Sequence, residues 1–220
     1  DYNFDNLFLY TNKINLYKCT NFNLDSRKDL NFFKKEKFDL GICIGWQRIL
    51  PENILSQFKM GIYGWHGSYL KLPDGAGRSP INWSIRMGQK KIFHTLFRYN
   101  RNCDAGEIFE IVKINIRNND YFSDVKVKVN EHIKKSSFRL INAIIKNKLV
   151  LTKQLKKKNK IFFPKISSND LKIYSKEMTT KVAYDLIRSA SYPFSGSNLF
   201  KNKKKIMTIY RSTIKNFSNK

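Results

Sequence analysis

The stretch Met60-Gly61-Ile62-Tyr63-Gly64-Trp65-His66-Gly67-Ser68-Tyr69-Leu70-Lys71-Leu72-Pro73-Asp74-Gly75-Ala76-Gly77-Arg78-Ser79-Pro80 decides the fold. Its first part, Met60 to Trp65, is an apolar run that reads as a buried strand, and it ends at a histidine. A loop punctuated by proline and glycine follows, and Ser79-Pro80 then has the chemistry of a helix start. Strand, histidine, punctuated loop and helix, in that order, place a polar group where an α/β sheet carries its ligand sites.

Working outward, the same alternation recurs. Upstream, Leu7–Tyr10 and Ile14–Cys19 are short apolar segments that predict a strand each. Asp25-Ser26 has N-cap chemistry, and a helix is predicted to about Lys35. Phe38–Ile44 is a continuous apolar run, as in a strand buried on both faces of a parallel sheet. Pro51 opens a further helix. Downstream, a helix is predicted from Pro80 to about Met87, strands over Ile92–Tyr99 and Glu107–Ile116, and one long helix from Asp124 to about Thr152. The tail predicts a short Phe162-Phe163-Pro164 element, a helix over Thr179–Ser189, a turn at Pro193/Gly196 and a strand near Ile206–Tyr210. The fold class is therefore α/β: a Rossmann-like, mostly parallel sheet flanked by helices, with a small C-terminal α+β subdomain. The expected division is 1–155 and 161–220, with the Lys156–Lys160 cluster as linker. Open parallel sheets bind ligands beyond the carboxyl ends of their strands. His66 and the later loop Asn100–Gly106, with its Asp104-Ala105-Gly106 triplet, each follow a predicted strand end.

Composition narrows the function. Hydrophobic residues make up 41% of the chain and aromatic residues 14%, which is enough for a packed core. No apolar run reaches a membrane span, and Asp1-Tyr2-Asn3-Phe4-Asp5 is unlike a secretory leader. Three widely spaced cysteines, Cys19, Cys43 and Cys103, form no CxxC pair, so free thiols in a reducing, cytoplasmic setting are expected and no metal site. The net charge of +25 invites a nucleic-acid reading. Against it, lysine is spread along the whole chain with abundant Asn, Ile, Phe and Tyr, the mixture an A/T-rich coding sequence produces. The local runs Lys156-Lys157-Lys158 and Lys203-Lys204-Lys205 would attract any polyanionic ligand.

Several segments together carry a resemblance: Asp39-Leu40-Gly41-Ile42-Cys43-Ile44-Gly45-Trp46, Ile49-Leu50-Pro51, His66-Gly67-Ser68, Leu72-Pro73, Gly77-Arg78-Ser79-Pro80, Asp104-Ala105-Gly106, Ile187-Arg188-Ser189-Ala190 and Pro193-Phe194-Ser195-Gly196. In this order and spacing the chain resembles the folate-dependent formyltransferases, over about Phe38 to Gly196. The resemblance implies transfer of a formyl group from N10-formyltetrahydrofolate to an amine. In the family an Asn-x-His pair and a later Asp do the chemistry; His66 and Asp104 match the last two. His66 is then expected to polarise the formyl oxygen or take the amine proton, and Asp104 to orient His66 and relay a proton. By the same resemblance Trp46, Gln47, Ile49 and Leu50 line the pterin pocket, and the backbone of Arg101, Asn102 and Cys103 reads the pterin edge. Ser68, Tyr69 and Arg78 border the acceptor. Bland readings stand beside these: His66 as a loop histidine, Asp104 as a turn residue, Arg78 as a loop brace, and His94 as a core or wall residue.

Two departures matter. The family's asparagine falls at Gly64, which has no side chain to donate a hydrogen bond. Another donor can substitute, with Asn82 the best candidate and a backbone N–H or water next; otherwise activity is low or lost. The family's first βα unit has no match here, and no initiating Met is present, which points to a fragment or a form trimmed at its N-terminus. The tail after Pro164 is short for a tRNA-binding barrel, which favours a small acceptor, a nucleotide-linked amino sugar of surface-polysaccharide synthesis. tRNA is the second expected partner, and a catalytically impaired folate-binding domain the third reading. A homodimer is left open.

Overall fold

The computed structural model describes residues 15–174 and 177–214. The strand expected at Leu7–Tyr10 lies outside the described residues, and residues 15–19 have no regular structure. In chain order the elements are α1 (Arg27–Glu36), β1 (Gly41–Cys43), α2 (Glu52–Leu55), β2 (Ile62–Ser68), β3 (Ala76–Gly77), α3 (Pro80–Arg86), β4 (Lys91–Arg98), β5 (Ile108–Asn115), α4 (Phe122–Ile145), β6 (Phe162–Phe163), β7 (Lys172–Tyr174), α5 (Thr180–Ala190), β8 (Ser197–Lys201) and β9 (Lys204–Ile209). The class is α/β, with helices packed on a central sheet.

That sheet runs β1-β2-β4-β5. β1 and β2 are parallel, while β2–β4 and β4–β5 are antiparallel. Among the described residues the expected parallel arrangement thus holds for one pair, and the sheet is mixed. The reason is the length of the connections. The link from Tyr99 to Glu107 is too short for a crossover, which needs a dozen or more residues. Between β2 and β4 the helix α3 has 7 residues and spans only about 10 Å, less than half the length of β2, so it cannot carry the chain back for a parallel return. β1 is also shorter than the run Phe38–Ile44 suggested. Among the described residues it pairs only with β2, and Ile42 and Ile44 are exposed rather than buried on both faces.

Local chemistry sets the helix ends. Ser26 caps α1, its Oγ accepting from Asp29 N at 3.0 Å. Burial alone would raise the Asp29 pKa, but hydrogen bonds from Ser26, Tyr17 and Thr20 outweigh it and hold the carboxyl at about 2. α4 starts two residues before Asp124 because Asp124 sits at the third helical position and accepts from Tyr121 N at 2.8 Å, half of a capping box. It stops at Ile145 rather than near Thr152. Asn147 takes a left-handed backbone, φ 52°, and its N–H and that of Lys148 bond back to Ile144 O and Ala143 O. The residues beyond are extended, and Thr152 bridges to Ile108.

Two faces of the sheet have different fates. Tyr63 and Leu96 face α4 and bury against Leu140, with Trp65 Nε1 donating to Ser136 Oγ at 2.9 Å. Ile85, Ile92, Ile114, Phe122, Val125 and Val129 close the core between α3, α4 and the sheet. The tail forms its own three-stranded sheet, β7-β8-β9, over a core of Leu171, Ile173, Leu186, Ile187 and Ala190. It is anchored on the first part by Arg188, which is 2% exposed. The guanidinium donates to Asp185 Oδ1 at 2.5 Å and to Asp120 O at 2.5 Å. Removing one member of a buried ion pair leaves the other charge unpaired, which typically costs about 3–5 kcal/mol. Arg188→Met is therefore expected to lower stability by about that amount, read as a shift in the urea midpoint with little change in slope.

Candidate active site

The β2–β4 ladder decides which side chains meet. It pairs Gly64 with Phe97 and His66 with Thr95, and Tyr99 N continues it to Ile62 O at 2.7 Å. Paired residues share a face and alternate along a strand, so Ile62, Gly64, His66, Phe97 and Tyr99 lie on one face. His94, opposite Gly67, lies on the other.

The antiparallel ladder also corrects the picture of two neighbouring strand ends. His66 lies toward the C-terminal end of β2, while the loop after β4 leaves from the opposite side of the sheet. The pair meets because residues 99–107 fold back over the face that bears Gly64 and His66. Asp104, with a left-handed backbone (φ 49°), turns its carboxylate to His66: Oδ2 lies 3.5 Å from Nδ1. Gly106 sits so close to Arg98 O that any side chain there would collide, so glycine is needed for the fold-back. Gln154 Nε2 pins the loop by donating to Asp104 O and Gly106 O at 2.9 and 2.8 Å.

His66 is 6% exposed. Its Nε2 lies 2.6 Å from Gly75 O, and a carbonyl only accepts, so Nε2 carries hydrogen. In the neutral ring Nδ1 then holds the lone pair, facing Asp104. At 3.5 Å the carboxylate is a charge partner rather than a tight hydrogen bond. Asp104 Oδ2 also accepts from Gly77 N at 2.9 Å. The loop 67–79 thus holds both members of the pair. It is itself held by the strand β6: Gly75 N donates to Ile161 O and Arg78 N to Phe163 O, each at 2.8 Å.

These groups open into a cleft of about 1010 Å³. Trp46, Gln47, Ile49, Leu50, Arg78, Asn102 and Cys103 line it. Among the described residues Trp46 Nε1 is buried without a hydrogen-bond partner. Arg78 bonds Gln47 Oε1 at 2.9 Å, bracing the loop while remaining on the cleft wall. Four expectations shift. Arg101 is exposed and outside the lining. Ser68 is fully buried and its Oγ accepts from Leu70 N, so it shapes the loop. Tyr69 packs its ring against Phe163, off the cleft wall. Asn82 lines the cleft, but one N–H of its Nδ2 donates to Ser189 O at 2.7 Å, holding the amide against α5.

Lys126 and Tyr99 are wall residues that the sequence reading did not single out, as are Arg48 and Lys165. Lys126 lines the cleft from α4, and burial pushes its pKa down. Its signal was readable: Phe122, Lys126, Val129 and Ile133 follow helical spacing, which places a lysine on an apolar stripe. Tyr99 covers Gly64, a contact that only the strand register reveals. His94 is a wall residue, 2% exposed, as expected. Its Nδ1 lies 2.6 Å from His132 Nδ1; His132 Nε2 in turn meets Glu110, which Arg139 grips with two bonds of 2.6 Å. Burial, then the neighbouring His132, pushes the His94 pKa down to about 3.

The formyl transferase family model matches residues 12–141. Over 192 residues, 87% of this chain and 29% of the relative, the sequence is 27% identical to the bifunctional polymyxin resistance protein ArnA of Wigglesworthia glossinidia brevipalpis. It is 31% identical to methionyl-tRNA formyltransferase of Buchnera aphidicola subsp. Schizaphis graminum, over 60% of this chain and 41% of that protein. The chain thus spans less than half the length of either relative. Among solved structures, a sugar N-formyltransferase from Shewanella superposes with a TM-score of 0.65 at 18% identity, covering 87% of this chain and 77% of that one.

Two outcomes follow from the geometry. His94 has a folded pKa of about 3, below its unfolded 6.5. The unfolded state then binds the extra proton, so stability is full above pH 6.5 and falls as pH drops toward 3. Urea midpoints taken between pH 7 and pH 5, above the carboxylate range, are expected to fall in the wild type and to fall less in His94→Gln. Separately, a Cβ on Gly64 would stand 2.2 Å from Tyr99 Oη. Gly64→Ala is expected to destabilise by about 1–3 kcal/mol through overpacking. Combined with Tyr99→Ala, its cost should be less than the sum of the two single changes.

Proposed function

The chain belongs to the formyl transferase family, and we propose that it moves a formyl group from N10-formyltetrahydrofolate to a primary amine. The observation that carries this reading is the His66–Asp104 pair at the wall of an open cleft, with both groups held by the backbone of the Gly75–Gly77 loop. A cleft of about 1010 Å³ has room for a pterin and a second substrate. Trp46, Ile49 and Leu50 suit the flat face of the pterin ring, and the backbone at Asn102 and Cys103 suits its polar edge.

The step needs a neutral amine, a place for the oxyanion and a path for one proton. The amine lone pair forms the new C–N bond, and the carbonyl π pair moves onto oxygen. The proton that the amine loses passes to His66 Nδ1, where the Asp104 carboxylate stabilises the imidazolium. On collapse the bond to folate N10 breaks, and the same proton is delivered to N10.

For the acceptor we favour a nucleotide-linked amino sugar. Arg48, Arg78, Lys126 and Lys165 line the cleft, with Asp104 the single carboxylate of its wall among the described residues, a field that suits an anionic substrate. The fold likeness to a sugar N-formyltransferase supports the same choice. The net charge of +25 and the relative named methionyl-tRNA formyltransferase support tRNA as the second reading. We assign residues 1–155 to the catalytic part, 161–220 to the small subdomain, and the setting to the cytoplasm.

The test is incubation with N10-formyltetrahydrofolate and a panel of nucleotide-linked amino sugars, following tetrahydrofolate release. Turnover on one sugar class is expected; turnover only on aminoacylated tRNA, with steeply salt-dependent binding, would shift the assignment. Folate binding with no turnover on any amine would leave a binding domain. His66→Asn and Asp104→Asn are each expected to lower kcat about 10²–10⁴-fold while folate binding persists.

A further inference from the structure

Gly64 leaves the face of β2 beside His66 without a side chain, yet that place is filled. A Cβ on Gly64 would stand 2.2 Å from Tyr99 Oη and 2.4 Å from Cζ. Tyr99 stands opposite Ile62, diagonal to Gly64, and its ring crosses the strand to cover the glycine. An aromatic ring over a strand glycine is a common packing device, and phenylalanine would serve it equally well. The hydroxyl is the part that packing does not explain. It lies where a side chain at position 64 would begin, on the face that carries His66, and Tyr99 lines the cleft. Burial first, then the nearby Cys43 thiol, pushes its pKa well up, so it keeps its proton as a donor. The thiol is a weak acceptor, which leaves that donor available to a stronger one.

We propose that Tyr99 is a catalytic residue whose O–H donates to the formyl oxygen as that oxygen takes up negative charge. The inference rests on the formyl-transfer reading above. Residues two apart on a strand project from points about 7 Å apart, so a carbonyl between them is within reach of both the His66 ring and the Tyr99 hydroxyl. Tyr99 keeps its proton throughout; it stabilises the tetrahedral oxyanion and releases it when the C–N10 bond breaks. The role requires Gly64, because any side chain there would displace the hydroxyl.

The deciding experiment is isotope-edited infrared spectroscopy of a 10-formyl folate analogue, labelled with carbon-13 at the formyl carbonyl and bound to wild type and to Tyr99→Phe. The expected result is a carbonyl stretch at lower wavenumber in wild type than in the variant, with little change in analogue Kd. With an accepting amine, kcat of Tyr99→Phe should fall about 10²–10³-fold while KM changes little. Identical stretches in the two proteins overturn the role of Tyr99 and leave the formyl-transfer reading standing. Failure of the analogue to bind wild type overturns both.

Discussion

The hydrogen-bond ladder between β2 and β4 is the constraint on which the rest of the site depends. Because the pleat alternates with period two, one register places Gly64, His66, Phe97 and Tyr99 on the cleft face and sends Tyr63, Leu96 and His94 toward α4. A slip of one residue would bury the cleft residues under the helix and turn the core outward. The register is held behind the sheet by the tie from Trp65 to Ser136, and the ladder itself runs on through Tyr99 N to Ile62 O. The histidine–carboxylate–arginine chain from His94 to Arg139, buried at its two histidines, fixes the same strand against α4. Chemistry on one face and packing on the other are therefore set by a single alignment.

Much of this was legible in the sequence. The apolar run ending at His66, the Asp-Ala-Gly triplet and the Ser79-Pro80 helix start are local signals, and each stands where local chemistry puts it. The helix ends were legible too where a capping residue marked them, as at Ser26 and Thr179. α4 was overrun because the apolar spacing continues past Asn147, and only the left-handed backbone there ends the helix. Strand direction was not legible, since it depends on whether a connection can carry the chain across the sheet.

The site residues divide the same way. His66 and Asp104, singled out from residue type and order, meet in the structure. Ser68 and Tyr69 were drawn in by proximity to His66 along the chain; Ser68 shares the His66 face but is buried against Gly75 with its Oγ accepting from Leu70 N, and Tyr69 turns its ring to Phe163. Asn82 has the right chemistry and lines the cleft, but one of its two N–H donors is tied to a carbonyl contributed from the tail. Tyr99 was invisible because its partner is a glycine on another strand, and the absence of a side chain at position 64 carries meaning only when the facing residue is known.

The pairing of β3 with β6 has a consequence for the order in which the site is made. Residues Ile161 and Phe163 hold the backbone at Gly75 and Arg78, and Gly75 in turn holds the His66 ring. The contact joins segments far apart in sequence, and such contacts form late, after the loop between them has closed. As the chain emerges from the ribosome, the strand bearing His66 is made well before the segment that steadies its imidazole. An intermediate with the sheet formed and the tail undocked would carry His66 without that second-hand support. The full arrangement of the cleft around His66 would then be among the last features the protein gains as it folds.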